Sequence, residues 1–218
     1  DDALVRSVDA QLDYQPGAAK TDFAKRYGAL AGKKVKTVAE AFSDFTVELK
    51  HPINALYKNA MTDLVGSTHL IVVNARFQRD SVWSLGVVST LELILKSYPD
   101  PEIAADIRTA FCTSLGLNLE EIEAEAKIIS DWAVGKTSDD VIAALKGEGD
   151  SQLATVTNAA KADEYWMYSR YFGIGLISVM DTIGLEMEKD KAYTVMENWV
   201  GIAMGKPYIT ACNDSDMY

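Results

Sequence analysis

Between His51 and Ser89 the chain reads HPINALYKNAMTDLVGSTHLIVVNARFQRDSVWSLGVVS, a stretch holding both histidines of the sequence and much of its most apolar content. Ile53, Leu56, Tyr57, Ala60, Met61, Leu64 and Val65 recur there at spacings of three and four, which lines one face of a helix and predicts that this face is buried. Pro52 suits the first helical position, where a missing N–H is harmless and φ is already near the helical value. Arg76, Gln78, Arg79 and Asp80 then interrupt the apolar run, and Ser81 is placed to cap a second helix carrying Val82, Trp83, Leu85, Val87 and Val88. The stretch is predicted to form a helical hairpin around which the rest of the chain is organised.

Helix signals continue on both sides of it. Leu4, Val5, Val8 and Leu12 allow a short helix over residues 1–12, and residues 13–36 read as a loop or partly ordered arm, rich in Gly, Ala and Lys with scattered aromatics. Thr37-Val-Ala-Glu40 is a capping box ahead of Ala41, Phe42, Phe45 and Leu49. Asp100-Pro101 opens a helix through Ile103, Ile107, Ala110, Phe111 and Leu115 that ends at Gly116. Asn118 with Glu121 starts another, through Ile122, Ile128, Ile129 and Trp132 to Gly135; Ser138 is placed to cap a short one, and Gly147-Glu-Gly-Asp150 is a linker. A central helix is expected over about 163–183, apolar almost all round, and a last helix over about 189–204 ahead of an irregular tail. No useful period-2 alternation occurs, so the fold class is all-α: a single-domain bundle of about seven to nine helices with an irregular N-terminal arm, residues 1–36 forming an N-terminal helix and extended basic arm and 37–218 the helical domain.

A chain of 218 residues that is 48% hydrophobic can bury a real core. Its net charge of -11 argues against non-specific binding to nucleic acid, which needs cations to displace counterions from phosphates. The charge is uneven: between Lys20 and Lys36 six basic side chains face only Asp22, whereas residues 119–148 hold eight acids against three lysines. Both stretches read as solvated faces or loops. Cys112 and Cys212 lie 100 positions apart, which builds no disulfide framework, and Cys112 reads as a small core residue. The longest apolar run, Tyr171 to Met180, is too short to span a bilayer. The chain opens at Asp1 with neither a methionine nor an apolar signal-type stretch, as expected where a leader has been removed or the start lies upstream.

Catalytic chemistry finds little purchase. Glu48-x-x-His51 is the one candidate metal pair, but a carboxylate-bridged di-metal bundle needs a second such pair, and Pro52 disturbs the helix beside His51. There is no GxSxG and no phosphate loop, and GIG at 173–175 lies inside a helix rather than after a strand. Glu120, Glu121, Glu123 and Glu125 crowd the start of a helix, where the dipole favours negative charge, and the four tryptophans and ten tyrosines read as core more readily than as a pigment cleft. No catalytic, metal or cofactor site is expected.

The order of short motifs carries more. His51-Pro52-Ile53-Asn54-Ala55-Leu56-Tyr57 stands where one family has Arg-Pro-Ile-Asn-x-Ile-Tyr; His69-Leu70-Ile71 answers its His-Leu-Leu, and Asn74-Ala-Arg-Phe77-Gln-Arg-Asp80 its Asn-x-x-Phe-x-Tyr-Asp. Trp83-Ser84-Leu85-Gly86 follows in place of an aromatic plus Ala-Leu-Gly, then Tyr98-Pro99, and later Ala110-Phe111-Cys112, Tyr168-Ser169-Arg170 and Ile174-Gly175-Leu176. The chain thereby resembles the thylakoid formation family, also called the photosystem II biogenesis family, of cyanobacteria and chloroplasts, over about 37–218. It departs at His51, where the family has arginine, and at Ser67, where it has glutamate two residues before the histidine. A buried pairing of those groups in relatives is therefore expected to be absent or rebuilt.

The resemblance implies a non-catalytic helical protein of the stroma or cyanobacterial cytoplasm, peripheral to thylakoids, that supports photosystem II assembly and repair and binds the FtsH protease or photosystem II intermediates. It carries over no catalytic residue. The motif residues His51, Pro52, Ile53, Asn54, Tyr57, His69, Asn74, Phe77, Asp80, Leu85 and Gly86 are expected to be structural or partner-binding. Two alternatives stand beside this: a permanent subunit of a photosystem or antenna supercomplex with its N-terminal arm threaded between subunits, and an all-α enzyme or pigment binder.

Overall fold

The computed structural model describes residues 20–185 and 189–215; the helix expected over 1–12 lies outside them. The chain divides into two compact units, residues 1–36 and 37–218. In the first, Thr21 caps a short helix α1 (Asp22–Tyr27), accepting from the Ala24 amide at 3.2 Å, and a 3-10 turn over Gly28–Leu30 follows. Part of the expected arm is thus helical. Asp22 in the first turn and Lys25 and Arg26 in the last match the helix dipole, a signal the Gly and Lys content had outweighed.

The second unit contains α2 (Val38–Leu49), α3 (Ala55–Val72), α4 (Ser81–Leu95), α5 (Pro101–Ser114), α6 (Leu119–Ala133), α7 (Ser138–Lys146), α8 (Gln152–Ala162), α9 (Arg170–Thr182), α10 (Lys189–Met196), a π-helical segment (Glu197–Ala203) and α11 (Ile209–Ser215). The all-α prediction holds, with no strand among the described residues. The helices outnumber the expectation because α1, α8 and α11 were not foreseen. α8 starts directly behind the Gly147–Asp150 linker, capped by Ser151, and α11 occupies the supposed irregular tail, where Ala211 and Cys212 are buried.

Caps set most boundaries. Thr37 and Glu40 close the predicted box, with the Glu40 amide on Thr37 Oγ1 at 3.1 Å and the Thr37 amide on Glu40 Oε2 at 2.7 Å. Asp100 Oδ1 takes the amides of Glu102 and Ile103, and Pro101 opens α5 as predicted. Elsewhere the cap falls one residue earlier than expected. Asp80, not Ser81, caps α4, and Thr137, not Ser138, caps α7 by a box with Asp140. In both cases two adjacent residues can cap, and the chosen one is extended while its neighbour enters the first turn. Pro52 is not the first residue of α3. Asn54 caps that helix and its side chain accepts from Leu56, so Pro52 stays in the connecting loop.

The core lies in two apolar clusters joined through α4 and α9. From α4, Val82 and Leu85 enter one cluster with α6, α7, α8 and the C-terminal segments, while Trp83, Val87, Leu91 and Leu95 enter the other with α2, α3 and α5. α9 divides likewise: Tyr171 and Ile174 face the second cluster, and Phe172, Leu176, Ile177, Val179 and Met180 the first. This explains why both sequences are apolar all round: each helix has two buried faces. The central helix expected over 163–183 is α9, and it begins only at Arg170.

The predicted hairpin is not the packing unit. α4 packs chiefly on α9 and α6, α3 packs on α2, and the backbones of α3 and α4 stand apart. The contact of α4 with α9 is made by glycines. A Cβ on Gly86 would fall within 3.0 Å of the Tyr171 carbonyl, and one on Gly175 within 3.0 Å of the Val82 carbonyl. Gly86 lies four residues after Val82, and Gly175 four after Tyr171, so two helical ridges interlock at backbone distance.

Candidate docking groove

The motif residues fall into three groups. At the junction of α2 and α3, Lys50 turns the chain in a left-handed conformation at φ 59°. His51 then reaches Asp106 of α5 at 3.5 Å, with both side chains half exposed. Ile53 packs on the second cluster, the Asn54 amide donates to the Tyr98 hydroxyl at 3.1 Å, and the Tyr57 ring lies 4.7 Å from that of Tyr98. The motif tyrosines thus fasten the α2–α3 loop to the loop before α5. Where the family has arginine, His51 has an acidic neighbour on α5.

The second group joins α3 to α4. His69 is buried in the last turns of α3. Ser67 hydrogen-bonds the Leu64 carbonyl on its own helix. Beyond the helix, Asn74 Oδ1 accepts from the Arg76 amide at 2.9 Å, an Asx turn that reverses the chain. Phe77 meets Trp83 edge-on at 5.0 Å, and Asp80 Oδ1 takes the amides of Val82 and Trp83 at 2.9 and 2.8 Å. Burial pushes the Asp80 carboxyl up to about 6, with the two backbone hydrogen bonds opposing and the nearby Glu125 charge adding to the rise.

The third group, Leu85 and Gly86, lies in the interlock with α9, beside a polar tie to α3. Thr68 Oγ1 donates to the Leu64 carbonyl at 2.6 Å, so the hydrogen bond between Thr68 and the Tyr171 hydroxyl has tyrosine as donor. Burial pushes the Tyr171 phenol up to about 12. Trp83 stacks edge-on to Tyr171 at 5.7 Å, and its buried Nε1 has no hydrogen-bond acceptor among the described residues.

Three of the acids at the start of α6, Glu121, Glu123 and Glu125, have structural partners. Arg79 bridges Glu121 at 2.8 Å and Glu125 at 3.0 Å, Ser84 donates to Glu125, and Arg108 holds Glu123 at 2.6 Å. Cys112 is fully buried, and desolvation pushes its thiol up to about 12, which suppresses the reactive thiolate. Among the described residues no group of three or more His, Cys, Asp or Glu is arranged to hold a metal, and no helix is long and apolar enough to cross a membrane.

Where α3 stands off from α4, a groove opens. A cavity of about 770 Å³ is lined by α3, α4, α9 and Val38, and an adjoining one of about 420 Å³ shares Ser67, Leu70, Arg170 and Tyr171 with it. The floor is Leu64, Ile94, Tyr171 and Ile174; Leu70 and Leu93 stand at its walls with 61% and 49% of their surface exposed. Small α3 side chains, Ala60, Gly66 and Ser67, leave the depression unfilled. The periodicity of α3 had predicted a buried Leu56, which is instead 87% exposed, and had not marked Leu70 or Leu93. The available signal was that Leu70 follows the buried pair Thr68 and His69 and so lies off the inward face.

These features define an all-α protein built on two apolar clusters about one interlocked helix pair, with its motif residues at helix caps and crossings. The family model described as thylakoid formation protein matches residues 37–218, and the chain belongs to that family. Protein Thf1 of Rippkaea orientalis is 29% identical over 163 residues, which span 72% of this chain and 69% of that protein. The chloroplastic Protein THYLAKOID FORMATION1 of Oryza sativa subsp. japonica is 28% identical over 155 residues, 70% of this chain and 54% of that one, so this part of the chain matches about half of the rice protein. A solved structure of Psb29 superposes with a TM-score of 0.70 at 19% identity, covering 84% of this chain and 94% of that chain, which establishes the shared fold.

Proposed function

We propose that the chain is a non-catalytic auxiliary factor in thylakoid formation and in the biogenesis and repair of photosystem II. It acts by binding proteins, the FtsH membrane protease or photosystem II intermediates, at the stromal face of the thylakoid or its cyanobacterial cytoplasmic equivalent, to which it is peripheral. The binding unit is residues 37–218, with 1–36 a separate arm, and the motif residues serve to hold the helices in place. The observation that carries this reading is the family match over 37–218. The structure adds support of a different kind: motif side chains engaged in caps and packing, and an open apolar groove beside them.

A pull-down from thylakoids with the full chain tests it. Recovery of FtsH or of photosystem II intermediates is expected, and recovery of neither overturns the proposal. Co-sedimentation with intact supercomplexes that survives a salt wash would make the chain a permanent subunit instead.

A further inference from the structure

We propose that the groove between α3, α4 and α9 receives an amphipathic helix of a partner protein, laid along α3, with a lysine or arginine beside its apolar stripe reaching Asp63. This rests on the protein-binding reading above and names its surface. On α3 the lining residues Ala60, Asp63, Ser67 and Leu70 recur every three or four positions and form one stripe that runs from the larger cavity into the adjoining one. From Ala60 to Leu70 that stripe runs about 15 Å, close to three turns of a helix.

Backbone chemistry selects the form of the occupant. The larger cavity is walled by helices, whose backbone groups are already bonded internally, so it offers no sheet edge. An extended peptide would lay unpaired N–H and C=O groups on an apolar floor; a helix brings its own hydrogen bonds and presents only side chains. Leu70 and Leu93 at the walls and Ile94 and Ile174 on the floor match an apolar stripe spaced at three and four.

Charge selects its composition. Of the two charged residues in the larger cavity, Arg170 already has an interaction within the protein, whereas exposed Asp63 has no hydrogen bond or ion pair among the described residues. A carboxylate beside an apolar groove complements a cation flanking an apolar stripe. A second copy of this chain would bring the same net charge of -11, which opposes association, and anionic lipid would be repelled by Asp63.

Benzoylphenylalanine placed at Leu70 and at Leu93 of the full chain, photolysed in thylakoid extract, tests this once the cross-linked peptides are sequenced. Both positions are expected to react with one segment of another protein, apolar at three- and four-residue spacing and carrying Lys or Arg. Leu70→Asp combined with Leu93→Asp, both at exposed sites and with an unchanged melting midpoint, is expected to lower recovery of that protein about tenfold or more. Asp63→Lys lowers it too, and reversing the partner's basic residue to Glu restores binding to Asp63→Lys. Cross-links to lipid, to a second copy or to a segment without helical spacing, no cross-link at all, or unchanged recovery in the variants each overturn the proposal. If FtsH or photosystem II intermediates are recovered equally by the wild type and the double variant, the groove assignment fails and the proposed function stands. A groove-bound helix from a protein unconnected with thylakoids does the reverse.

Discussion

Helix α4 meets α9 and α3 in opposite ways. Against α9 the two backbones touch, because Gly86 faces the Tyr171 carbonyl and Gly175 faces the Val82 carbonyl, each with no room for a Cβ. Against α3 the backbones stand apart and a cavity of about 770 Å³ remains. α3 has a mid-helix glycine as well, yet a Cβ on Gly66 would meet only the Val38 side chain, at 3.0 Å. A glycine closes a helix pair only when a backbone stands opposite it. The closed contact gives the two core clusters a common wall; the open one leaves apolar side chains such as Leu70 and Leu93 exposed.

Adding a side chain at the closed contact is expected to have the largest effect. Gly86→Val or Gly175→Val must push two helices apart, and urea unfolding is expected to report a loss of about 3 kcal/mol or more. Asp80, the cap of the helix that both contacts share, follows. Its carboxyl titrates at about 6 in the folded protein, above its value in the unfolded chain, so the folded state holds the proton more tightly. The resulting stability is fully present below about pH 4 and is lost as pH rises through about 6, on the order of 3 kcal/mol. Asp80→Asn keeps the cap acceptor and should flatten that slope in denaturation midpoints measured across the window.

Tyr171→Phe removes the donor to buried Thr68, a tie between α9 and α3, and should lower stability by about 1–2 kcal/mol in the same assay. Gly66→Ala, on the open side, sets a gain of about 1 kcal/mol in helix propensity against the crowding of exposed Val38, for a net change within about 1 kcal/mol of zero. A loss as large as that of Gly86→Val would erase the distinction between the two contacts. Smallest of all, Lys127→Ala breaks an exposed i,i+4 pair with Asp131 on α6 and should change stability by less than about 0.5 kcal/mol.

Legibility followed the range of the interaction. The Thr37–Glu40 box, the Asp100-Pro101 start of α5, the Asn118 cap and the glycine at 116, left-handed at φ 72°, are written within a few neighbouring residues and were read correctly. Cap errors of one residue arose where two candidates adjoin, as at Asp80-Ser81 and Thr137-Ser138. Longer misses had a different source. α8 and α11 are short, weakly patterned helices made worthwhile by buried partners such as Leu153 and Ala211, which no local pattern reveals. The hairpin expected over 51–89 assumed that helices adjacent in sequence pack together; α4 instead found α9, some ninety residues on.

The sequence by itself determined the all-α class, the helices with strong periodicity and paired caps, and the family, because each rests on spacing within a few turns or on the order of motifs along the chain. The glycines at 173 and 175 already pointed to a close helix contact, but only the tertiary structure decided which backbones Gly86 and Gly175 meet, that Asp80 sits where its carboxylate is disfavoured, and that Leu70 and Leu93 line an open groove. Those properties depend on what stands opposite a residue across the fold, and the periodicity of one helix contains no record of the surface it will meet.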